Sequence, residues 1–572
     1  MRPARHVVWA LLFAFPLAAW AAEDGPTPQG ALLKVLSEEL DYSLKNLAMP
    51  DGTKPYFISY SVTDQREVSM SAELGAMVDD DFEHTRLLDV DVRVGDYELD
   101  NTHRIRGGMF GFDPSDFMDR GPTPISLSGE PEAIRHALWL ATDRAFKSAA
   151  KKYQQVLTNL KTMVAEEDKA DDFSREKPGV YSEPEVELAI DRDAWAARLR
   201  RVSSVAKEHP LIYNSGVRLS ARAQNRYFVN SEGSRTQQGQ EYLRVVLSAS
   251  TKAEDGMELS QYRTLNAATV EGLPGEEELK AEFKKVIDQV LALREAPLVE
   301  PYTGPAILMN RASGVFFHEI FGHRIEGHRQ KDVEEGQTFT KKVGEQILPD
   351  FISVHDDPTM TKCGDEDLRG YYKYDDEGVP AQDVTLVENG VLKTFLLSRS
   401  PVQEFAQSNG HGRRSPGSEV VSRMANTVIH STKTASFDEL RQMLIAECKK
   451  QDKPYGLLFD DITGGFTGTR RRGTQTFKVL PVVVYRVYPD GRPDELVRGV
   501  DIVGTPLTSF SKIIHTGDDP AVFNGNCGAE SGFIPVSCVS PSILVSEIEV
   551  EKRRREQDKP PILSPPTAPE KG

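Results

Sequence analysis

The stretch VFFHEIFGHRIEGH, residues 315–328, contains two histidines and a glutamate of the types that metal-assisted hydrolysis uses. His318 and His323 are five residues apart, whereas the familiar zinc-peptidase helix spaces its histidines by four. A regular α-helix turns about 100° per residue, so residues five apart diverge by about 140°. A shared metal therefore requires an irregular helix, either a π-bulge or a break. Gly322, directly before His323, is where either distortion is easiest.

A catalytic zinc site needs three protein ligands and one open position. His318 and His323 offer two, and Glu319 is placed to take a proton from water. The candidates for the third ligand are His328, His355, His411, His515 and the cysteines. Spacing favours Cys527, which we expect in a glycine-flanked loop, because a thiolate is a strong zinc ligand. The alternative interpretation is a buried apolar helix with incidental histidines.

Composition limits the class of protein. The chain has 572 residues, 39% hydrophobic and 8% aromatic, which is typical of a globular protein with a real core. Its net charge of −18 argues against a nucleic-acid partner, which would need a basic surface. The order of predicted helices and strands lacks regular alternation, so we predict an α+β fold.

The chain divides into four predicted segments. Residues 1–21 resemble a cleaved signal peptide, with Arg2 and Arg5 before a short apolar run, so we expect export, to a bacterial periplasm. Residues 22–297 form an N-terminal domain of helices and sheet. Residues 298–552 form a mainly antiparallel β domain that carries the zinc-site helix, and the proline-rich tail 553–572 is predicted to be disordered. No later run is long enough to span a membrane.

Export makes disulfides the expected state of the four cysteines, which are Cys363, Cys448, Cys527 and Cys538. Four cysteines allow three pairings, and the sequence does not choose among them. A disulfide between Cys527 and Cys538 would remove the thiolate from the proposed zinc site.

Several motifs in a fixed order resemble the TldD/PmbA metallopeptidase family, also called modulator of DNA gyrase. The resemblance is strong from about residue 304 to residue 549 and weaker before that. The motifs that carry it are FFHEIFGHRIEGH, VGEQILPDFISVHDDPTM, DDEGVPAQDVTLVENGVLKTFLLS, GHGRR, SRMANT, DITGGFTGTRRRGTQTFKV, IVGTPLTSFSKI and GNCGAESGFIPVSCVSPS.

The resemblance implies a catalytic, TldD-like subunit, because both the histidine motif and the distal cysteine are present. By position in the motif, His318, His323 and Cys527 would bind Zn²⁺ and Glu319 would be the general base, whereas Cys538 acquires no role. The expected function is zinc-dependent hydrolysis of flexible or unfolded peptides, inside a cavity enclosed by a homodimer or by a heterodimer with a PmbA-like subunit.

The resemblance also suggests where a peptide would bind and where this chain departs from the family. Gly412, Arg413 and Asn426 lie in family-like stretches that are expected to line the cleft, although Arg413 suits a structural role equally well. His328 stands where the family has an acid. The alternative function is a non-catalytic peptide-binding or assembly protein with a structural zinc, for which His328 or His411 would complete a closed, four-ligand site.

Overall fold

A computed structural model of the chain describes residues 30–105, 121–161, 169–331, 335, 338–469, 477–553, 560–563 and 566. The predicted signal peptide lies outside these residues, as does most of the predicted C-terminal tail, so both stay predictions. Within the described part of the chain, no helix combines the length and the apolar character needed to cross a membrane.

Helices and strands are interspersed along the whole chain, which confirms the predicted α+β class. The α-helices are α1 (Ala31–Asn46), α2 (Pro131–Leu160), α3 (Arg192–Ser203), α4 (Glu276–Glu295), α5 (Asn310–Ile320), α6 (His328–Lys331), α7 (Phe437–Lys450) and α8 (Pro506–Ser511). Short 3-10 helices occupy Ser204–Glu208, Val270–Gly272 and Gly322–Arg324.

The strands differ widely in length between the two halves. They are β1 (Pro55–Glu73), β2 (Ala76–Val94), β3 (Thr123–Pro124), β4 (Val180–Ser182), β5 (Asn214–Asn230), β6 (Arg235–Lys252), β7 (Glu258–Ala267), β8 (Tyr302–Leu308), β9 (Ile352–Asp356), β10 (Lys362–Cys363), β11 (Glu366–Asp367), β12 (Val384–Glu388), β13 (Val391–Leu392), β14 (Gly412–Arg413), β15 (Val421–Ser422), β16 (Asn426–Ser431), β17 (Thr434–Ala435), β18 (Gly456–Thr467), β19 (Phe477–Val487), β20 (Glu495–Val497), β21 (Val500–Gly504), β22 (Ile513–Gly517), β23 (Ala521–Ala529), β24 (Gly532–Ser540) and β25 (Ile543–Lys552).

The N-terminal half is one long, strongly paired sheet in the order β3-β2-β1-β5-β6-β4, with β7 also paired to β6. Its long strands alternate buried and less buried residues, as expected when only one face is packed by helices. Helices α1 and α2 cover the Tyr60 end of that face, and α3 and α4 cover the Val245 end. The opposite face carries Arg244 and Tyr262, which point toward the C-terminal half.

The C-terminal half contains two larger sheets. One has the order β17-β22-β25-β21-β19-β18-β8, and an additional pairing of β25 with β8 closes five of these strands into a barrel. The other has the order β13-β12-β9-β16-β24-β23. Most pairings are antiparallel, as predicted, and the exceptions in these two sheets are β8 with β18, β17 with β22 and β16 with β24.

Helix α5 follows β8 and is buried between the barrel and the second sheet. Phe316 and Phe317 pack against Phe510, and Phe316 also meets Phe477 edge-on. Burial on all sides explains why this segment is almost continuously apolar. The strands on either side of the predicted boundary at residue 297 join different sheets.

Two dipeptides typical of hairpin turns, Asn389–Gly390 and Asp490–Gly491, have different outcomes. Asn389 and Gly390 both have positive φ, 48° and 82°, and join β12 to β13 in the expected tight turn. The Asp490–Gly491 turn instead lies within a longer connection between β19 and β20, and only the glycine has positive φ.

All four cysteines are free thiols, so the disulfide expectation is wrong for this structure. Cys448 is buried on α7, and Cys363 lies on the short strand β10. Cys527 and Cys538 are on adjacent strands, but they pair with Ile534 and Phe523 respectively rather than with each other. The ladder register therefore keeps these two thiols from being cross-strand neighbours.

Candidate metal centre

The helix that contains His318 breaks before His323. Helix α5 ends at Ile320, and a 3-10 helix over Gly322–Arg324 follows at once. The predicted irregularity is therefore confirmed, and it is a break rather than a π-bulge. The imidazole rings of His318 and His323 come to a centroid separation of 5.2 Å at an interplanar angle of 79°.

Gly322 leaves room for Met424 at the break. A Cβ at this position would lie 1.9 Å from the Met424 sulfur, far closer than two non-bonded atoms approach. The φ of Gly322 is not in the left-handed region that favours glycine, so the break does not use the backbone freedom expected of this residue. The packing of Met424 onto the backbone of the break is what excludes a side chain.

Arg324 satisfies the carbonyl groups that the broken helix leaves without partners. Its guanidinium donates to the Glu319 carbonyl at 3.0 Å and to the Ile320 carbonyl at 3.2 Å. Since the last carbonyls of any helix lack intrahelical donors, a buried end needs such partners. The residue directly after His323 therefore stabilises the break that brings His323 to the site.

Cys527 joins the two histidines from a remote part of the chain. One ligand atom from each of His318, His323 and Cys527 lies within 4.8 Å of the other two, and all three residues are buried. Cys527 Sγ is 3.4 Å from His323 Nε2. Cys527 lies in strand β23 of a hairpin, so the predicted loop is wrong in detail; the β23–β24 ladder continues through this glycine-rich stretch.

The electrostatics of the three side chains favour a deprotonated sulfur. Burial by itself would raise the pKa of the Cys527 thiol, but the adjacent imidazoles lower it well below its usual range. Burial would lower the pKa of His323, but Cys527 and Glu326 outweigh burial and raise it well above its usual range. A thiolate is the form that binds a metal, and a thiolate beside two imidazoles is a typical zinc donor set.

Glu326 orients His323, and our sequence analysis gave it no role. Its Oε2 lies 3.4 Å from His323 Nδ1, so the other ring nitrogen, Nε2, points to the sulfur. Glu326 is fully buried, and Arg329 donates to the same oxygen at 2.8 Å. A carboxylate behind a metal-binding histidine is a recurrent arrangement that fixes the tautomer and the ring. The i,i+3 spacing from His323 was the available signal.

Arg423 connects the remote strand to this carboxylate. Its Nη2 donates to the Cys527 carbonyl at 2.9 Å, and its Nε lies 3.2 Å from Glu326 Oε1. Arg423 and Met424, which packs on Gly322, are neighbours in the SRMANT stretch. That stretch therefore supports both the strand that carries the thiol and the break before His323.

The other histidines proposed as ligands contact other protein groups instead of the metal centre. His328 Nε2 contacts Glu530, and His411 Nε2 lies 3.3 Å from Asp356 Oδ1 in a fully buried pair. His355 contacts Asp383, and His515 contacts a backbone carbonyl. Among the described residues, the metal-binding group comprises His318, His323 and Cys527 without a fourth protein ligand.

Glu319 lies beside the three ligand residues, on the wall of a cavity of about 190 Å³ that His318 also lines. Burial raises the pKa of Glu319, and the neighbouring histidines oppose that rise. Gly465 of β18 approaches so closely that a Cβ there would lie 2.7 Å from Glu319 Cγ. Glycine at position 465 therefore leaves room for the glutamate.

Gly412, Arg413 and Asn426, predicted to bind substrate, are buried and do not line this cavity. Asn426 donates both side-chain N–H groups, to the carbonyls of Asp357 and Met360, and its oxygen accepts from the Gly370 amide. Arg413 donates to the Met424 carbonyl at 2.6 Å. These contacts favour the structural interpretation of Arg413, because its partner belongs to the residue that packs on the helix break.

Comparison with known proteins connects this geometry to a family. Residues 301–552 match the family model described as the PmbA/TldA metallopeptidase C-terminal domain. Over this region the chain is similar to the TldD/PmbA metallopeptidase family. The matched region begins just before β8 and ends with β25, so it contains both C-terminal sheets and all three residues of the candidate metal centre.

Relatives in the TldD/PmbA family are similar over part of their length. A metalloprotease of Archaeoglobus fulgidus is 29% identical over 283 residues, 49% of this chain and 60% of that protein. A zinc metalloprotease TldD homolog of Saccharolobus solfataricus is 26% identical over 279 residues, 46% of this chain and 57% of that protein. The matches therefore span only about half to two thirds of the length of these relatives.

The fold resemblance extends further along the chain. The crystal structure of TldE from Thermococcus kodakarensis superposes with a TM-score of 0.61 at 16% identity, covering 91% of this chain and 100% of that one. At this identity the likeness concerns the fold alone. It shows that the N-terminal half, which the family model does not match, also belongs to a known architecture.

Proposed function

We propose that this chain is a zinc peptidase in which His318, His323 and Cys527 bind the metal and Glu319 is the general base. The observation that carries the proposal is the convergence of two imidazoles and one thiol within 4.8 Å, beside a buried glutamate on a cavity wall. Ligand atoms of a tetrahedral zinc are roughly 3.5 Å apart, so a small closure of the three side chains would suffice.

Zinc bound to these residues would act as a Lewis acid, polarising a peptide carbonyl and making water a better nucleophile at neutral pH. The protein's own part is proton transfer. Glu319 takes a proton from the attacking water and delivers it to the leaving amine, and its raised pKa makes it a better base than an exposed carboxylate. Glu326 holds His323 in the required tautomer throughout.

We propose flexible peptides as the substrates. The cavity is lined from one side by β23, which is at the edge of its sheet and carries Cys527. A peptide can add to such an edge as a further strand through main-chain hydrogen bonds, which do not depend on sequence. A cavity of about 190 Å³ suits a short extended segment, not a folded domain.

The periplasmic location and the dimeric assembly expected from the sequence are also proposals. We propose that the protein acts in the periplasm after removal of residues 1–21 and that it works as a homodimer or with a PmbA-like subunit. The free, deprotonation-prone Cys527 requires that zinc bind before the thiol oxidises in such a compartment.

The proposal predicts different consequences for two substitutions. Glu319→Gln should retain zinc and lose peptide hydrolysis by about 10²–10⁴-fold, because it removes the base and leaves the ligands. Cys527→Ser should lower both zinc content and activity. Zinc is measured by metal analysis of purified protein, and hydrolysis is followed with casein-derived peptides, with and without a chelator.

Cys538→Ser is the matched control, since Cys538 is an equally buried thiol on the neighbouring strand. It should leave zinc content and hydrolysis unchanged. Equal zinc in the Cys527→Ser and Cys538→Ser proteins would remove Cys527 from the site. Full activity of Glu319→Gln would instead remove Glu319 from the mechanism. Wild-type protein that retains zinc but hydrolyses none of the peptides would favour the alternative, a peptide-binding protein with a structural metal.

A further inference from the structure

One face of α5 forms a wall of the cavity. Arg311, Val315, His318 and Glu319 all line it, and their spacing of four, three and one residues places them on a single helical face. The wall therefore runs from the metal ligand at one end to a guanidinium at the other. Since a helix rises 1.5 Å per residue, Arg311 is about 10 Å from His318 along the axis.

Arg311 is incompletely satisfied by the protein. Its Nε is buried without a hydrogen-bond partner among the described residues. The nearest carboxylate oxygen, Asp461 Oδ1, is 3.6 Å away, beyond the usual range of a hydrogen bond. A buried, unpaired donor on a charged side chain is costly unless something else accepts from it.

A second arginine lines the same cavity from the N-terminal sheet. Arg244 of β6 uses two of its five N–H groups, donating to Asn266 Oδ1 at 3.0 Å and weakly to the Asn524 carbonyl at 3.5 Å. Both acceptors are neutral, and no ion pair to Arg244 occurs within the described ranges. Arg329 and Arg399, by contrast, each meet a carboxylate.

A third arginine adds to the positive charge at the same place. Arg369 donates to Asn526 Oδ1 at 3.1 Å, and Asn526 lines the cavity. Burial, together with the neighbouring charge of Arg244, lowers the pKa of Arg369 to about 9. The guanidinium groups therefore repel one another, and the only carboxylate among the described residues lining the cavity is Glu319.

We propose that Arg244 and Arg311 form an anion-binding subsite for a carboxylate of the peptide substrate. This inference rests on the proposed peptidase function, to which it adds the substrate class: acidic peptides or peptide C-termini. A guanidinium pair is suited to a carboxylate because N–H donors can engage both of its oxygens. The remaining donors of the two arginines, on opposite walls, would then be satisfied by one ligand.

The spacing along α5 indicates roughly where the carboxylate lies in the peptide. An extended peptide advances about 3.3 Å per residue, so the ~10 Å from His318 to Arg311 corresponds to about three residues from the cleaved bond. Either an aspartate or glutamate side chain at that distance or a free C-terminus three residues beyond the bond would fit. The two sources share one chemistry and are distinguishable by amidating the C-terminus.

The test measures binding in the zinc-loaded Glu319→Gln protein, where the peptides are not consumed. Fluorescent peptides of one length are compared: a neutral amidated peptide, the same peptide with a single glutamate moved along its length, and the neutral peptide with a free C-terminus. We expect one glutamate position or the free C-terminus to bind about tenfold more tightly than the neutral peptide.

Arg244→Gln and Arg311→Gln, each added to Glu319→Gln, should abolish that advantage and leave binding of the neutral peptide within about twofold. Arg441→Gln is the control for the lost charge, since Arg441 pairs with Asp494 and does not line the cavity. Arg244→Lys should recover only part of the advantage, because a point charge replaces a two-pronged donor.

The outcomes separate this inference from the proposed function. Acidic and neutral peptides bound equally, or an advantage that survives both arginine substitutions, would overturn the subsite even if the wild-type enzyme hydrolyses peptides. Selective binding that depends on the two arginines would support the subsite even if the wild-type protein hydrolyses none of the peptides, an outcome that would reject only the peptidase proposal.

Discussion

Two buried arginines of this protein meet glutamates in different settings. Arg423 contacts Glu326 behind the candidate metal centre, and both side chains are fully buried within the C-terminal half. Arg399 contacts Glu232 through two nitrogens, at 2.6 and 2.9 Å, and this pair joins the C-terminal half to the N-terminal sheet. Phe173 stacks on the Arg399 guanidinium, 3.9 Å from the ring centre.

The difference lies in what each carboxylate does besides pairing. Glu326 also contacts a ring nitrogen of His323, so its charge is coupled to a residue that we propose as a metal ligand. Glu232 contacts Tyr97 and Arg399, and neither belongs to the site. Similar ion pairs therefore have two different roles, since one supports the proposed metal centre and the other connects the two halves of the chain.

The largest effect is expected from Glu326→Gln. It leaves Arg423 and Arg329 without their shared buried carboxylate, which should cost about 3–5 kcal/mol of unfolding free energy. It also releases His323, so zinc affinity should fall about 10–100-fold. Urea denaturation and competition with a chelating dye measure the two effects, and unchanged zinc affinity would contradict an orienting role.

A smaller effect, confined to stability, is expected from Arg399→Leu. The substitution leaves Glu232 unpaired, but this carboxylate keeps some solvent contact, at 16% side-chain exposure, so the loss should be about 2–4 kcal/mol. Zinc affinity of the folded protein should match the wild type, because Arg399 touches no residue of the centre. A drop in zinc affinity as large as that of Glu326→Gln would show that the Arg399–Glu232 pair is coupled to the metal centre.

The smallest effect is a pH dependence at the joint between the halves. Desolvation raises the pKa of Glu377, which accepts from the Arg399 backbone amide at 2.6 Å, to about 7. The folded protein therefore binds this proton more tightly than the unfolded chain. The stability from Glu377 is present below about pH 4.5 and is lost as pH rises through 7.

Glu377→Gln, which cannot ionise, tests that dependence. Between pH 5 and pH 8 the wild type should lose roughly 1–2 kcal/mol of unfolding free energy relative to the variant. Urea midpoints at the two pH values measure the difference. Parallel stability profiles for the two proteins would show that Glu377 does not change its ionisation on folding.

Local sequence patterns were enough for the elements and for part of the site. Strand alternation, helical spacing and the Asn389–Gly390 turn predicted an α+β chain whose second half is mainly antiparallel sheet. The five-residue spacing of His318 and His323 predicted an interrupted helix, because helical geometry allows no other way for both rings to reach one ion. These conclusions depend on neighbours along the chain.

Long-range contacts decided what those patterns left open. Spacing favoured Cys527 as the third ligand, and the family resemblance strengthened that choice, but no local pattern places a thiol of β23 beside α5. The resemblance also pointed to Asn426 and Arg413, which the fold buries, and gave no role to Arg423 and Glu326, which support the centre. A motif marks a stretch as important without saying which of its side chains point to the site.

The sequence by itself determined that the helix must be irregular between the two histidines if both bind one ion, since the angle per residue is a property of the backbone. Only the tertiary structure decided how the break is stabilised, through Met424 packed on Gly322 and Arg324 on the freed carbonyls. The tertiary structure alone also decided that Arg244, on strand β6, and Arg311, on helix α5, face the same cavity. The physical reason is that packing and charge compensation depend on neighbours in space, which the order of residues does not give.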